Sequence, residues 1–136
     1  MQDLYRLQSL VVQETARIRG ASPRAALQRC VLAVEQSVAR RFASSTTPSG
    51  RPWAALKKAR PGGKPLVRSG RLAASVRVRV ERDGLVIQSD VPYAGYQDQG
   101  TRTIPARTFA GPDEQALKVI ERELGDWLAG ELFKGV

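Results

Sequence analysis

Apolar residues recur at three- and four-residue intervals over most of the first 43 positions. Leu4, Leu7, Val11 and Ile18, with Leu10 beside them, predict a first amphipathic helix. Gly20 interrupts it. Ser22 and Pro23 restart the pattern, serine as an N-cap and proline as a first helical residue. Leu27, Val31, Val34, Val38 and Phe42 then form the stripe of a second helix, with Cys30 beside it as a small buried hydrophobe. The turn formers from Ser44 to Gly50 end that helix. After a stretch rich in Gly, Pro and Lys/Arg, the period changes to two. Ser75 to Glu81 alternates strictly, which predicts a strand with valines inward and charges outward. Arg82-Asp83-Gly84 supplies a turn, and Leu85 to Ser89 returns as a second strand. A hairpin alone is marginal and needs a helix over its apolar face. A final helix runs from Asp113 to Phe133, with Asp113 and Glu114 favouring its positive start. Leu117, Ile120, Leu124, Trp127, Leu128 and Leu132 make its stripe.

These elements predict an α+β fold: an antiparallel hairpin or small sheet packed against N-terminal and C-terminal amphipathic helices, with a long basic loop. The 136 residues suit one domain. Residues 1–43 are read as helical, 44–72 as a mobile basic arm, 73–111 as the hairpin and a loop, and 112–134 as the last helix. In the loop, Pro92 stops strand pairing and Tyr93 to Gly100 makes a loop or short helical turn. Ile104-Pro105-Ala106-Arg107 runs extended, because a residue before proline avoids the helical region. Phe109 returns to the core.

Charge changes this picture. The formal net charge is +9, unevenly spread: residues 51–82 hold ten Lys/Arg against one acid, and residues 83–136 hold five against nine. Three readings follow. The basic middle binds phosphate, or it is a solvated loop and strand face, or it meets the acidic end of another copy.

Candidate chemistry is sparse. The chain has no histidine and a single cysteine. That excludes an internal disulfide, a Cys/His zinc site and a Ser-His-Asp triad. Asp90 and Asp98 flank the tyrosine segment, and Glu121 and Glu123 belong to a solvated helix face; neither pair suggests acid–base work. Pro61-Gly62-Gly63-Lys64 lacks the Walker spacing, since Pro65 follows the lysine. No apolar run approaches the roughly 20 residues that span a bilayer, and the start carries no secretory pattern. No enzymatic role, cofactor or membrane contact is expected, and the lone cysteine suits a reducing compartment.

One series of motifs does point somewhere. It runs from Phe42 through Pro48-x-Gly-x-Pro-Trp53-x-x-Leu56 to Pro65-Leu66-Val67-x-Ser69-Gly70-x-Leu72 and a basic strand. Tyr93-Ala94, Gly100 and Ile104-Pro105-Ala106-Arg107-x-Phe109-x-Gly111 complete it. The series resembles the phage virion morphogenesis family, the tail-completion proteins of Mu-like and related tailed phages. Gln97 stands where many relatives carry histidine. The resemblance implies a structural virion protein made in the host cytoplasm. It implies a ring, commonly of six copies, at the head–tail junction, where a tail is completed and joined to a filled head. The implied partners are the chain itself, neighbouring neck, tail-terminator or tail-tube proteins, and genome DNA in transit. The alternative is a small basic nucleic-acid-binding protein.

The residues expected at subunit or partner contacts are Trp53, Leu56, Arg71, Arg77, Arg79, Tyr93, Tyr96, Arg107 and Phe109. Trp53 and Leu56 are the sizeable anchors of the arm, for its own domain or for a neighbour. Arg107 suits a bidentate pair with a carboxylate, within the chain or across a subunit boundary.

Overall fold

The alternating segments become antiparallel strands β2 (Arg77–Val80) and β3 (Gly84–Ser89), joined by a short turn. A third strand, β1 (Gln2–Gln8), lies on the other side of β3, so the sheet order is β1-β3-β2. The structure, a computed structural model, describes residues 1–56, 66 and 70–134.

Strand β1 corrects the expectation of a helix from the first residues. The three-residue spacing of Leu4 and Leu7 resembles a helical face, because residues three apart in a regular strand point to opposite sides. A bulge resolves the conflict. The pairing register passes from Asp3↔Gln88 to Tyr5↔Ile87 and skips Leu4, which is buried on the core side with Leu7 packed near it. The first helix, α1 (Leu10–Arg19), starts only after Ser9, whose hydroxyl accepts from the Val12 amide. Val12 is its buried residue, and the expected stripe members Val11 and Ile18 are exposed. Gly84 shows why the β1–β3 contact needs glycine: a Cβ there would lie 2.1 Å from the Leu7 carbonyl oxygen.

The second helix is α2 (Arg24–Ser44), with Pro23 at its N-cap position and Ser22 Oγ accepting from the Arg24 amide. Leu27, Cys30, Val34, Val38 and Phe42 are buried along it, as the stripe predicts. Cys30 is fully buried, and burial pushes its thiol up to about 11. A short α3 (Arg71–Ser75) leads into β2, and α4 (Ala94–Gln99) is the helical turn after β3. The last helix is α5 (Glu114–Leu132), capped by Asp113.

Helices α2 and α5 pack side by side over one face of the sheet, with α1 against α5. Arg29 meets Glu123 at one end of the α2–α5 pair and Arg40 meets Asp113 at the other, so the two run antiparallel. Leu85 and Ile87 face this layer and join the core; Val78 and Val80 pack against it from β2. The stripe of α5 is only partly covered, since Ile120 is buried but Leu117 and Leu132 are exposed.

Among the described residues the other sheet face is not packed by α2 or α5, yet Val86 is 0% exposed there. Its cross-strand neighbours are Arg6 and Arg79. Arg6 bonds both Asp3 and Glu81, Arg79 pairs with Glu81 at 3.0 Å, and Gln88 donates to Asp3 at 2.7 Å. This polar lattice roofs the valine and engages charges that the strand pattern leaves simply outward. Carboxylates accept two guanidinium bonds at once, so four side chains cover what a hydrophobic layer would otherwise cover.

Candidate functional site

The segment from Tyr93 to Pro112 has little regular structure, so its backbone polar groups need partners from elsewhere. Asp98 and Ser37 supply several of them, and Asp113 fixes the joint to α5. The Asp98 carboxylate, at the end of α4, accepts from the amides of Phe109 and Ala110 at 3.0 and 2.9 Å. Ser37, buried on α2, donates to the Gly111 carbonyl and accepts from the Asp113 amide at 2.8 Å. Asp113 accepts from the Ala116 amide and a bidentate fork from Arg40, each bond within 2.9 Å. Asp98 is 4% exposed, and burial raises its carboxyl above the usual range despite the two amides. Asp113 behaves oppositely: the Arg40 fork, helped by the Ala116 amide and Arg41, holds it down to about 2.

This braced loop grips the root of the basic arm. Arg107 donates through Nε to the Ala54 carbonyl at 2.9 Å and through Nη2 to the Ala55 carbonyl at 3.0 Å. The Trp53 indole donates to the Thr108 carbonyl at 2.8 Å. Phe42 links the two sides, edge-on to Trp53 at 5.6 Å between centroids and tilted against Phe109 at 5.0 Å. Upstream, Arg41 donates to the Thr47 carbonyl at 2.7 Å, and residues 45–53 close a turn through Trp53 N to Ser45 O and Thr47 N to Arg51 O, both 2.8 Å.

The fork of Arg107 therefore holds two carbonyls within its own chain, and no carboxylate. Backbone oxygens presented side by side by an extended segment match the guanidinium spacing as well as a carboxylate does. Trp53 and Phe109 are buried in the same cluster, and Leu56 is half-buried nearby in sequence. The other sequence-selected residues lie apart from this grip. Tyr93 and Tyr96 are 39% and 60% exposed at α4. Arg77 and Arg79 sit on exposed β2, and Arg71 opens α3 on the surface. Of the arm read over 44–72, residues 57–65 and 67–69 lie outside the described residues. Its beginning, 44–56, makes the bonds described above.

Sequence reading passed over Asp98, Ser37, Arg40 and Arg41. Apart from Thr47, six residues from Arg41, their side-chain partners are 11 to 76 residues away, beyond any local window. The one available signal was an acid in a glycine-rich loop with no basic neighbour in sequence, which asks for backbone donors.

Fold and site together define a small α+β protein whose buried polar side chains hold its own loops in place. The chain belongs to the phage virion morphogenesis family, which it matches over residues 6–129. Its role is accordingly in the building of the phage particle. No curated protein and no solved structure matches it. Among the described residues no helix is long and apolar enough to cross a membrane.

Proposed function

We propose that the chain is a ring-forming tail-completion or neck subunit at the head–tail junction, required for a tail to be finished and joined to a filled head. The observation that carries this reading is the family match over residues 6–129, which runs from the end of β1 into the last turn of α5. The braced arm root supports it. A segment held at its base by Arg107 and Trp53 starts from a fixed point, which suits contact with a neighbouring copy or an adjoining ring.

The charge split fits a heterologous contact, in which one surface meets a different surface of the next copy. Exposed Glu114, Glu121 and Asp126 lie on α5, and exposed Arg71 and Arg77 lie on α3 and β2. Nucleic acid is a weaker reading of the same charge. Arg6, Arg40, Arg41, Arg79 and Arg107 all have intramolecular partners, so the cationic surface left for phosphate is smaller than the composition suggests. DNA in transit through a lumen needs only weak, salt-sensitive contact.

Mass measurement across concentration, with negative-stain images of the same fractions, tests the proposal together with protein analysis of purified virions. Rings, and the chain present in virions, are the expected result. A monomer at high concentration that is also missing from virions refutes it.

A further inference from the structure

Two further surfaces stand open among the described residues. On α1, Leu10, Val11 and Ile18 are 78%, 59% and 70% exposed. Spacings of one, seven and eight residues put them on one face of a helix, with Glu14 between them and Arg17 alongside. Glu14 and Arg17 pair with each other at 2.6 Å in full view of solvent, which contributes little to stability.

The second surface is a groove of about 480 Å³ where α2, α3 and β2 meet. Val38, Ala39, Phe42, Ala73 and Val76 are its apolar lining. Glu35 and Arg77 stand on its rims. Arg77 donates to the Ala74 and Val76 carbonyls, and among the described residues it meets no carboxylate. Glu35, also among the described residues, makes no ion pair.

Ridge and groove lie at different ends of the molecule. Gln8 pairs with Gly84, so α1 leaves the sheet at the hairpin-turn end. Arg77 opens β2 at the other end, and α2 reaches Phe42 only in its last turn. On α2, Ser37, Arg40 and Arg41 face the start of α5, and Val38 and Phe42 face the groove, so the groove is also on the flank away from α5. One chain cannot bring the two surfaces together.

We infer that the α1 ridge of one copy seats in the α2–α3–β2 groove of the next, with Glu14 meeting Arg77 and Arg17 meeting Glu35. This rests on the ring reading above and names its subunit contact. Once water leaves, the Glu14–Arg17 pair of the ridge is desolvated, and Arg77 and Glu35 of the groove give each member a second opposite charge. The pattern of one acid and one base on each side fixes the register and disfavours ridge-to-ridge pairing. The ridge from Leu10 to Ile18 is about 12 Å long, close to the roughly 10 Å that α2 covers from Glu35 to Phe42 along the groove. Because the two surfaces differ, the contact repeats head to tail and closes into a ring when its rotation allows.

The test is charge reversal with rescue. Glu14→Arg and Arg77→Glu are surface changes, with the circular dichroism spectrum as a folding check. Each alone raises the concentration needed for half-assembly about tenfold or more, and the double variant returns it near the wild-type value. As a second measurement, Glu14→Cys with Arg77→Cys in one chain gives a ladder of oligomers under mild oxidation, and either single variant stops at dimers. Cys30 is fully buried and stays out of this chemistry. Wild-type rings that ignore both reversals and the cysteine pair overturn this contact and leave the ring reading standing. Reversals that spare the rings but abolish incorporation into virions assign the ridge to another virion protein, and also overturn it. A wild-type chain that forms no ring alone or on tails removes both.

Discussion

Asp98 tests whether the loop from Tyr93 to Pro112 is held by an acceptor or by a charge. Its carboxylate is the partner of two amides in residues that are 0% and 5% exposed, Phe109 and Ala110. Neither amide can turn to water when the carboxylate is removed. An orphaned buried donor costs about 1–3 kcal/mol, so Asp98→Ala, which orphans two, exposes the fold to a loss of about 2–6 kcal/mol. Removing a buried charge offsets part of that, which leaves about 3 kcal/mol. Asp98→Asn keeps an oxygen in the same place and drops the charge, and loses less than about 1 kcal/mol. The two variants also differ from wild type in pH dependence. Burial raises the folded carboxyl above its ordinary 3.8, so the group favours the folded state below that value. This contribution is lost as pH rises through the higher folded value, and Asp98→Asn lacks it. Urea denaturation followed by tryptophan fluorescence at pH 3.5 and pH 7 reads both effects. With a slope of about 1–3 kcal/mol per molar urea, the alanine variant moves the midpoint by about 1–3 M. Equal losses in the alanine and asparagine variants at pH 7 would refute the acceptor argument.

Other expectations follow from neighbouring residues. Arg107→Ala loses two charge-assisted bonds to carbonyls of exposed residues that water can re-solvate, so isolated-chain stability falls by about 2–3 kcal/mol; Arg107→Lys, which lacks the fork, loses about 1–2 kcal/mol. Unchanged monomer stability with weakened assembly would instead place the arginine across a subunit boundary. Asp113 is held at about 2 against an ordinary 3.8, so its contribution is present above pH 4 and fades as pH falls toward 2. Arg40 is one-third exposed, which trims that contribution to about 1–2 kcal/mol, and Asp113→Asn flattens the acid limb of a denaturation series by this amount. Among glycines, Gly84→Ala forces a Cβ onto the Leu7 carbonyl and frees β1, visible as faster amide exchange there; Gly125→Ala meets nothing within 4 Å inside α5 and stabilises by about 0.5–1 kcal/mol. An exchange pattern in β1 unaltered by Gly84→Ala would count against the bulged register.

The elements most legible in the sequence are those whose period is unbroken. The stripe from Leu27 to Phe42, the alternation from Arg77 to Val80 and the capped helix after Asp113 all lie where the pattern puts them. The first eight residues misled because a bulge makes Leu4 and Leu7 share a face, and a bulge has no periodic signature. The site was legible in part. Trp53, Arg107 and Phe109 were selected by motif and do converge, but the partner of Arg107 is a pair of carbonyls at Ala54 and Ala55.

Local rules alone determined which segments are helix and which are strand over most of the chain, and that the last helix starts at an aspartate cap. These properties depend on neighbours within one or two turns, and a linear sequence displays such neighbours directly. Tertiary structure decided that β1 joins the sheet beside β3, that Arg6, Arg79, Asp3 and Glu81 roof Val86, and that Asp98, Ser37 and Asp113 brace the loop. Most of these contacts join groups more than ten residues apart or on different strands. Only packing brings such groups within bonding distance, so composition and period carry no trace of the pairing.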